Sequence, residues 1–259
     1  MKPVTRRGMF GQVALLGTAV AAGSSLVAAA DAETTSSPKE GAPKLKVIIT
    51  GGHPGDPEYG CGGTAARYSD LGHDVILLYL NKGEGTDEAS FSRAAATRVA
   101  EATKACEILK ARPAFAGQID AQAIIDNFHY DQFRRLIESE NPDVVFTQWP
   151  IDNHRDHRAI SLLTYDAWVR LGRKFALYYY EVSNGEDTVQ FAPTHYVNIS
   201  DVAARKRSAC FAHASQSPEK FYELQELVMR MRGIESGHKH AEGFIRHIQS
   251  PPALLPGVS

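Results

Sequence analysis

The chain has 259 residues, a formal net charge of -2, 43% hydrophobic and 22% charged residues. That balance excludes a disordered chain and a polytopic membrane protein, and it offers nucleic acid no bulk positive charge to bind. The length suits one large α/β domain with a sizeable core.

Residues Thr5-Arg6-Arg7-Gly8-Met9-Phe10 precede an apolar, alanine-rich run from Val13 to Ala30 that ends in Ala30-Asp31-Ala32. A charged segment, an apolar segment and a small-residue cleavage site describe an export signal over residues 1–32. The paired arginines match the twin-arginine type, an address read by the export machinery that carries proteins already folded, and they predict a periplasmic or secreted product. Residues 33–43 are polar and contain Pro38 and Pro43, which predicts a flexible linker and a single folded domain over 44–259.

Leu45 to Thr50 is a β-branched run stopped by Gly51-Gly52 and reads as a buried strand. Gly60 to Leu71 has helical spacing and ends at Gly72, before a second apolar strand from Val75 to Leu80. Strand, helix and strand with short connections form a βαβ unit, so the sheet is expected to be parallel. A long helix follows over Ser90 to Arg112, stopped by Pro113; another helix spans His129 to Glu140, and a buried strand spans Asp143 to Trp149. Asp156 to Leu171 reads as a helix, Phe175 to Val182 as an aromatic strand and His195 to Ile199 as a short edge strand. Ser200-Asp201 is expected to cap a helix to about Ala214, and Pro218 to open one running to about Arg232. The repeated alternation predicts an α/β sheet with helices on both faces. The cysteines Cys61, Cys106 and Cys210 are widely spaced, which predicts buried or free thiols without a disulfide framework.

Ligands of such sheets gather where loops leave the carboxyl ends of the strands. His53-Pro54-Gly55-Asp56-Pro57-Glu58 occupies that place after the first strand, and its imidazole and carboxylate can both turn toward one ion. Gly60-Cys61-Gly62-Gly63-Thr64 then leaves bare backbone N–H groups at a helix start, either an anion cradle or a site of tight packing. After the Asp143 to Trp149 strand comes Asp152-Asn153-His154-Arg155-Asp156-His157-Arg158. Hydrolytic zinc takes three protein ligands and keeps a fourth position open, so one histidine of this loop would complete a set with His53 and Asp56. The other histidine would be free for chemistry, with a nearby carboxylate orienting a ring.

These two loops, together with Gly72-His73, Arg98-x-x-Glu101, Lys206, His213 and Ala241-Glu242-x-Phe244, are similar in order and spacing to the LmbE/PIG-L superfamily of N-acetyl-sugar deacetylases, over roughly Lys44 to Phe244. The resemblance implies a Rossmann-like fold, zinc held by His53, Asp56 and His157, and hydrolysis of an acetamido group on an N-acetylated sugar or sugar conjugate. It also implies that His154, with Asp156, stabilises or protonates the tetrahedral intermediate. One departure matters: the family pattern has an aspartate, the general base, where this chain has Gly55. General-base catalysis is worth about 10² to 10⁴ in rate, or about 3 to 5 kcal/mol of barrier. Three outcomes stay open: a hydrolase slowed by Gly55, a base moved to Asp152 or Glu58, or catalysis lost in favour of binding. Two other readings share these residues: an exported metal-dependent sugar-binding protein without turnover, supported by Gly55 alone, and a non-haem iron centre built on two histidines and a carboxylate.

Overall fold

Side chains alternate along the first strand, β1 (Lys46–Gly51), so that Val47 and Ile49 point to one side and Ile48 to the other, and all three are fully buried. A strand buried on both faces needs helices on both faces. In the computed structural model, which describes residues 43–85, 87–183, 185–253 and 255–256, the chain supplies them. α1 (Asp56–Asp70), α2 (Phe91–Leu109) and α5 (Ala203–Phe211) cover one side, while α3 (Asn127–Glu140) and α4 (Arg155–Arg170) cover the other. The described residues belong to one compact unit. The export signal expected over 1–32, and the linker expected over 33–43 apart from Pro43, lie outside them.

Seven strands form one sheet in the order β3-β2-β1-β4-β5-β7-β6. β2 (Asp74–Tyr79), β3 (Arg112–Phe115), β4 (Val144–Gln148) and β5 (Ala176–Tyr180) run parallel to β1 within this arrangement. β7 (Ala241–Arg246) lies antiparallel to β5, and β6 (His195–Asn198) pairs antiparallel with β7 at the edge. The fold is thus α/β with a mainly parallel sheet, as expected. The register between β1 and β4 is locked beyond the ladder: Thr50 Oγ1 donates to Thr147 Oγ1 at 2.8 Å, and Gly52 N donates to Gln148 Oε1 at 2.8 Å. This brings the loops after the two strands to the same edge of the sheet.

Several sequence expectations are corrected. The helix expected over Ser90 to Arg112 stops at Leu109, because Lys110 turns left-handed, and Arg112–Phe115 becomes the edge strand β3. An edge position tolerates Pro113 because its missing N–H faces no partner strand. α1 begins four residues earlier than expected, at Asp56, where Glu58 accepts the Gly55 N–H. Ser200 and Asp201 do not cap α5: the Ser200 hydroxyl donates to Asn198 Oδ1 and the Asp201 carboxylate takes Arg67. Pro218 opens only a short 3₁₀ turn, after which α6 spans Tyr222–Ser236. The three cysteines are buried and free.

The glycine run of α1 serves packing. A Cβ on Gly60 would lie 2.2 Å from Cδ2 of Tyr180, whose hydroxyl donates to Thr50 O at 2.7 Å. The N–H groups of Gly63 and Thr64 do bind an anion, but it is the chain's own: Glu242 of β7 accepts them at 2.8 and 2.7 Å and takes Lys206 Nζ of α5 at 2.6 Å. Gly60→Ala gains about 1 kcal/mol in helix propensity but forces a clash worth about 1–3 kcal/mol, with further loss where Tyr180 is displaced from Thr50. A lower melting temperature in calorimetry, with far-ultraviolet circular dichroism unchanged at room temperature, is the expected result.

Candidate metal centre

α1 starts at the mouth of a cavity of about 420 Å³ whose lining includes His53, Gly55, Asp56, His154, His157 and Asp187. Asp56 Oδ2 lies 3.2 Å from His53 Nδ1 and 3.2 Å from His157 Nε2. Two donors bound tetrahedrally to zinc at about 2.0–2.1 Å stand about 3.3 Å apart, so both spacings fit the edge of such a coordination shell. The chemistry of the donor set, two imidazoles and one carboxylate, fits as well.

Each imidazole is held from behind. His53 Nε2 donates toward Asp120 Oδ1 at 3.1 Å and Asp156 Oδ2 at 3.2 Å, and His157 Nδ1 donates to Asp152 Oδ1 at 3.1 Å. Carboxylates in this position fix the ring and strengthen it as a ligand. The carboxylates are held in turn. Asp152 is 5% exposed and accepts from the His154 N–H and the Thr188 hydroxyl. Asp156 is fully buried and accepts from Asn81 Nδ2 and the Ala121 N–H. Arg98 of α2 donates to the Pro54 carbonyl, bracing the first loop, and Arg158 holds the carbonyls of Asp152 and Asn153 at 2.6 and 3.0 Å, bracing the second.

The electrostatics favour positive charge. Burial alone would lower the His53 imidazole, yet its hydrogen bonds with Asp120, Asp156 and Asp56 hold it well above the usual value. Burial likewise opposes the charge on His157, but Asp56 and Asp152 raise it to about 9. Burial would raise Asp56, and the two histidines pull it well below the ordinary carboxylate range. His154 goes the other way: burial lowers it, and the neighbouring His53 and His157 add to the effect.

The structure relocates two expected catalytic groups. Asp152 is not a base at the open side of the site; it stands behind His157 with both oxygens engaged. Asp156 does not orient His154 through its carboxylate, which faces His53; its backbone N–H meets His154 Nδ1 at 3.3 Å. Glu58, the other expected substitute base, is fully buried and binds Tyr79, His213 and the Gly55 N–H. Gly55 has φ +114°, a conformation that strains any side chain, although a Cβ there meets nothing closer than His213 Cδ2 at 3.9 Å. His53, His154 and His157 also come within 4.8 Å of one another, so a three-imidazole set is geometrically available. His154 Nδ1 is already engaged by the Asp156 N–H, whereas Asp56 Oδ2 lies 3.2 Å from a nitrogen of each of the other two rings.

Asp120 and Asn81 carried no sequence assignment, and the pairing of Glu58 with His213 at 2.9 Å was not foreseen. Asp120 and Asn81 follow the carboxyl ends of β3 and β2, so reading Arg112–Phe115 as a strand would have pointed to Asp120. The Arg98-x-x-Glu101 motif acquires a role: while Arg98 holds Pro54, Glu101 accepts the N–H and hydroxyl of Ser215, two residues beyond His213.

A mainly parallel sheet whose carboxyl edge gathers histidines and carboxylates able to hold a metal ion defines an α/β protein of Rossmann-like design. The chain belongs to the PIG-L family: the family described as GlcNAc-PI de-N-acetylase matches residues 48–168, and the diacetylchitobiose deacetylase of Thermococcus kodakarensis is 31% identical over 218 residues, covering 77% of this chain and 82% of that protein. Among solved structures, the N,N'-diacetylchitobiose deacetylase of Pyrococcus horikoshii superposes with a TM-score of 0.69 at 23% identity, covering 83% of this chain and 85% of that one. The 4-carboxy-2-hydroxymuconate hydratase of Pseudomonas putida superposes with a TM-score of 0.71 at 20% identity, covering 82% and 99%. These two likenesses are of fold.

His157→Ala is expected to leave the purified protein with little metal after dialysis, while His154→Ala keeps the wild-type content. Asp152→Asn is expected to weaken metal affinity about 10- to 100-fold, the usual cost of losing an orienting carboxylate. Elemental analysis and competition with a chelator read all three, and equal loss from His154→Ala and His157→Ala would make His154 a ligand.

Proposed function

We propose that the protein is a zinc-dependent hydrolase that removes an N-acetyl group from an amino-sugar substrate. The observation that carries this reading is Asp56 Oδ2 standing 3.2 Å from a nitrogen of both His53 and His157, in the wall of a cavity that His154 also lines. Membership of a family with a diacetylchitobiose deacetylase supports the substrate class.

The cavity suits a sugar. Its volume falls within the usual range for small-molecule sites. Tyr59 and Phe221 offer ring faces at its wall, and Arg98 and Gln216 offer donors to hydroxyl groups. Zinc, when bound, supplies polarisation of the acetamide carbonyl and a lowered pKa for water.

The remaining work falls to side chains. His154 Nδ1 accepts the Asp156 N–H, which places the ring proton on Nε2. That N–H is the donor for the oxygen that becomes negative as the carbonyl carbon turns tetrahedral. Keeping His154 neutral through burial and its cationic neighbours suits donation of a hydrogen bond without loss of the proton. Asp152, Asp120 and Asp156 keep the two ligand rings pointed at one place, so no reorganisation is required as the reaction proceeds.

Acetate release from N-acetylglucosamine, N,N'-diacetylchitobiose and their conjugates tests the proposal on metal-loaded protein. Turnover is expected with zinc and its loss on chelation. His154→Ala is expected to lower kcat about 10² to 10³-fold, the range for removal of one oxyanion donor. Binding of these sugars without any acetate release would instead establish a metal-dependent binding protein. Elemental analysis showing iron after expression with both metals would favour the iron centre. Export through the twin-arginine route belongs to the same proposal: Arg6-Arg7 replaced by Lys-Lys is expected to abolish periplasmic accumulation in a bacterial host, and an unchanged periplasmic yield would remove that part of it.

A further inference from the structure

Deacetylation needs a group that takes a proton from the attacking water, and position 55 holds none. The carboxylates around the cavity are committed elsewhere. Asp56 faces both ligand histidines; Asp120 accepts from His53 Nε2 and the Gly85 N–H; Asp156 accepts from His53, Asn81 and Ala121. Asp152 lies behind His157, and Glu58 is buried against Tyr79 and His213. Asp187 differs from all five. It is half-buried, it lines the cavity together with Gly55, His154 and His157, and its carboxylate has no hydrogen-bond partner among the described residues.

Its backbone is fixed against the metal loop. The Asp187 N–H donates to Ser183 O at 3.0 Å, and its carbonyl accepts from the Asn153 N–H at 2.8 Å. The residues on either side are stitched to the same loop: Asn153 Nδ2 donates to Glu186 O at 2.6 Å, and Thr188 Oγ1 donates to Asp152 Oδ2 at 2.9 Å. Thr188 and Asp152 also form an isolated antiparallel bridge. Residues 186–188 are therefore hydrogen-bonded to the loop that carries His154 and His157, and the Asp187 carboxylate lines the same cavity as those two rings.

We infer that Asp187 is the general base, working from the β5–β6 connection in place of the residue missing at 55; this rests on the deacetylase reading above. Burial pushes the Asp187 carboxyl up; His157 and His154 oppose this, and Asp56 and Asp152 reinforce it. A base shifted toward neutrality transfers protons more efficiently at neutral pH. The water oxygen bonds to the acetamide carbon as Asp187 takes one of its protons, and the carbonyl π pair moves onto oxygen, where His154 donates a hydrogen bond. When the carbonyl re-forms, the C–N bond breaks and its electron pair leaves on nitrogen. Nitrogen takes the proton from Asp187. Amine and acetic acid depart, the acid ionises, and Asp187 is again a carboxylate.

Metal-loaded Asp187→Asn tests this, with three readouts. Turnover is expected to fall about 10² to 10⁴-fold. Metal content and affinity for the free amino-sugar product, measured by calorimetry, are expected to stay within about twofold of wild type, since a neutral isostere leaves binding intact. Asp187→Gly is expected to regain turnover with added formate, a response that a purely structural role would not give. Three results overturn the inference: Asp187→Asn turnover within tenfold of wild type, weakened product binding with kcat unchanged, or a hundredfold gain on Gly55→Asp in the otherwise wild-type chain. Acetate release by the wild type separates the two failures: without it the deacetylase reading itself falls, and with it an active Asp187→Asn removes only Asp187.

Discussion

His157 presents Nε2 to Asp56 because Asp152 takes its other nitrogen, and His53 presents Nδ1 because Asp120 and Asp156 take its Nε2. An imidazole has two nitrogens, and which one is available to a metal is decided by what binds the other. Asp152 and Asp156 come from the loop and helix that follow β4, Asp120 from the chain after β3, and Asn81, which steadies Asp156, from the end of β2. Only a sheet whose neighbouring strands run the same way brings those ends together with the end of β1. The parallel order β3-β2-β1-β4 is thus the geometric condition for the donor set.

The same condition explains the unequal distribution of structure and chemistry along the chain. The five parallel strands carry the donors and their supports at their carboxyl ends, while the C-terminal segment supplies packing through α5, α6 and β7. Asp187 lies between these regions, on a connection bonded to the metal loop. Two buried charges of the C-terminal segment are neutralised locally: Arg232 pairs with Glu181 at 2.6 Å, and Lys206 with Glu242 at 2.6 Å, each pair largely out of solvent. Burying such ions is tolerable only with partners at hydrogen-bonding distance.

How much of this was legible in the sequence depended on whether a residue's role was local. The β-branched runs at 46–51, 74–79 and 144–148 and the helices between them follow from periodicity, and His53, Asp56, His154 and His157 follow from loops at strand ends. β3 was hidden because Pro113 reads as a helix stop, and only its place at the sheet edge makes a proline acceptable. β7 was hidden because its sequence, Ala-Glu-Gly-Phe-Ile-Arg, has a buried glutamate whose partners lie on α1 and α5, far away in the chain. The functions of Asp152 and Asp156 were misread for a related reason: a carboxylate near a histidine in sequence does not reveal which ring, or which of its nitrogens, it meets. Asp187 gives no local signal at all, since the strand pairing between Asp152 and Thr188 brings it to the cavity.

The glutamate of β7 has a consequence for the order in which the protein is made. During synthesis every proposed metal donor has emerged once residue 157 is out, yet α1, which presents Asp56, is still without the Glu242 carboxylate that binds its Gly63 and Thr64 N–H groups. Lys206 appears in the interval and remains an unpaired cation, costly to bury. A nascent chain therefore possesses all the proposed donors, and the four strands β3-β2-β1-β4 that space them, well before the last strand of the sheet exists. What β7 adds, on entering between β5 and β6, is the carboxylate that satisfies two N–H groups of α1 and neutralises Lys206 in one stroke.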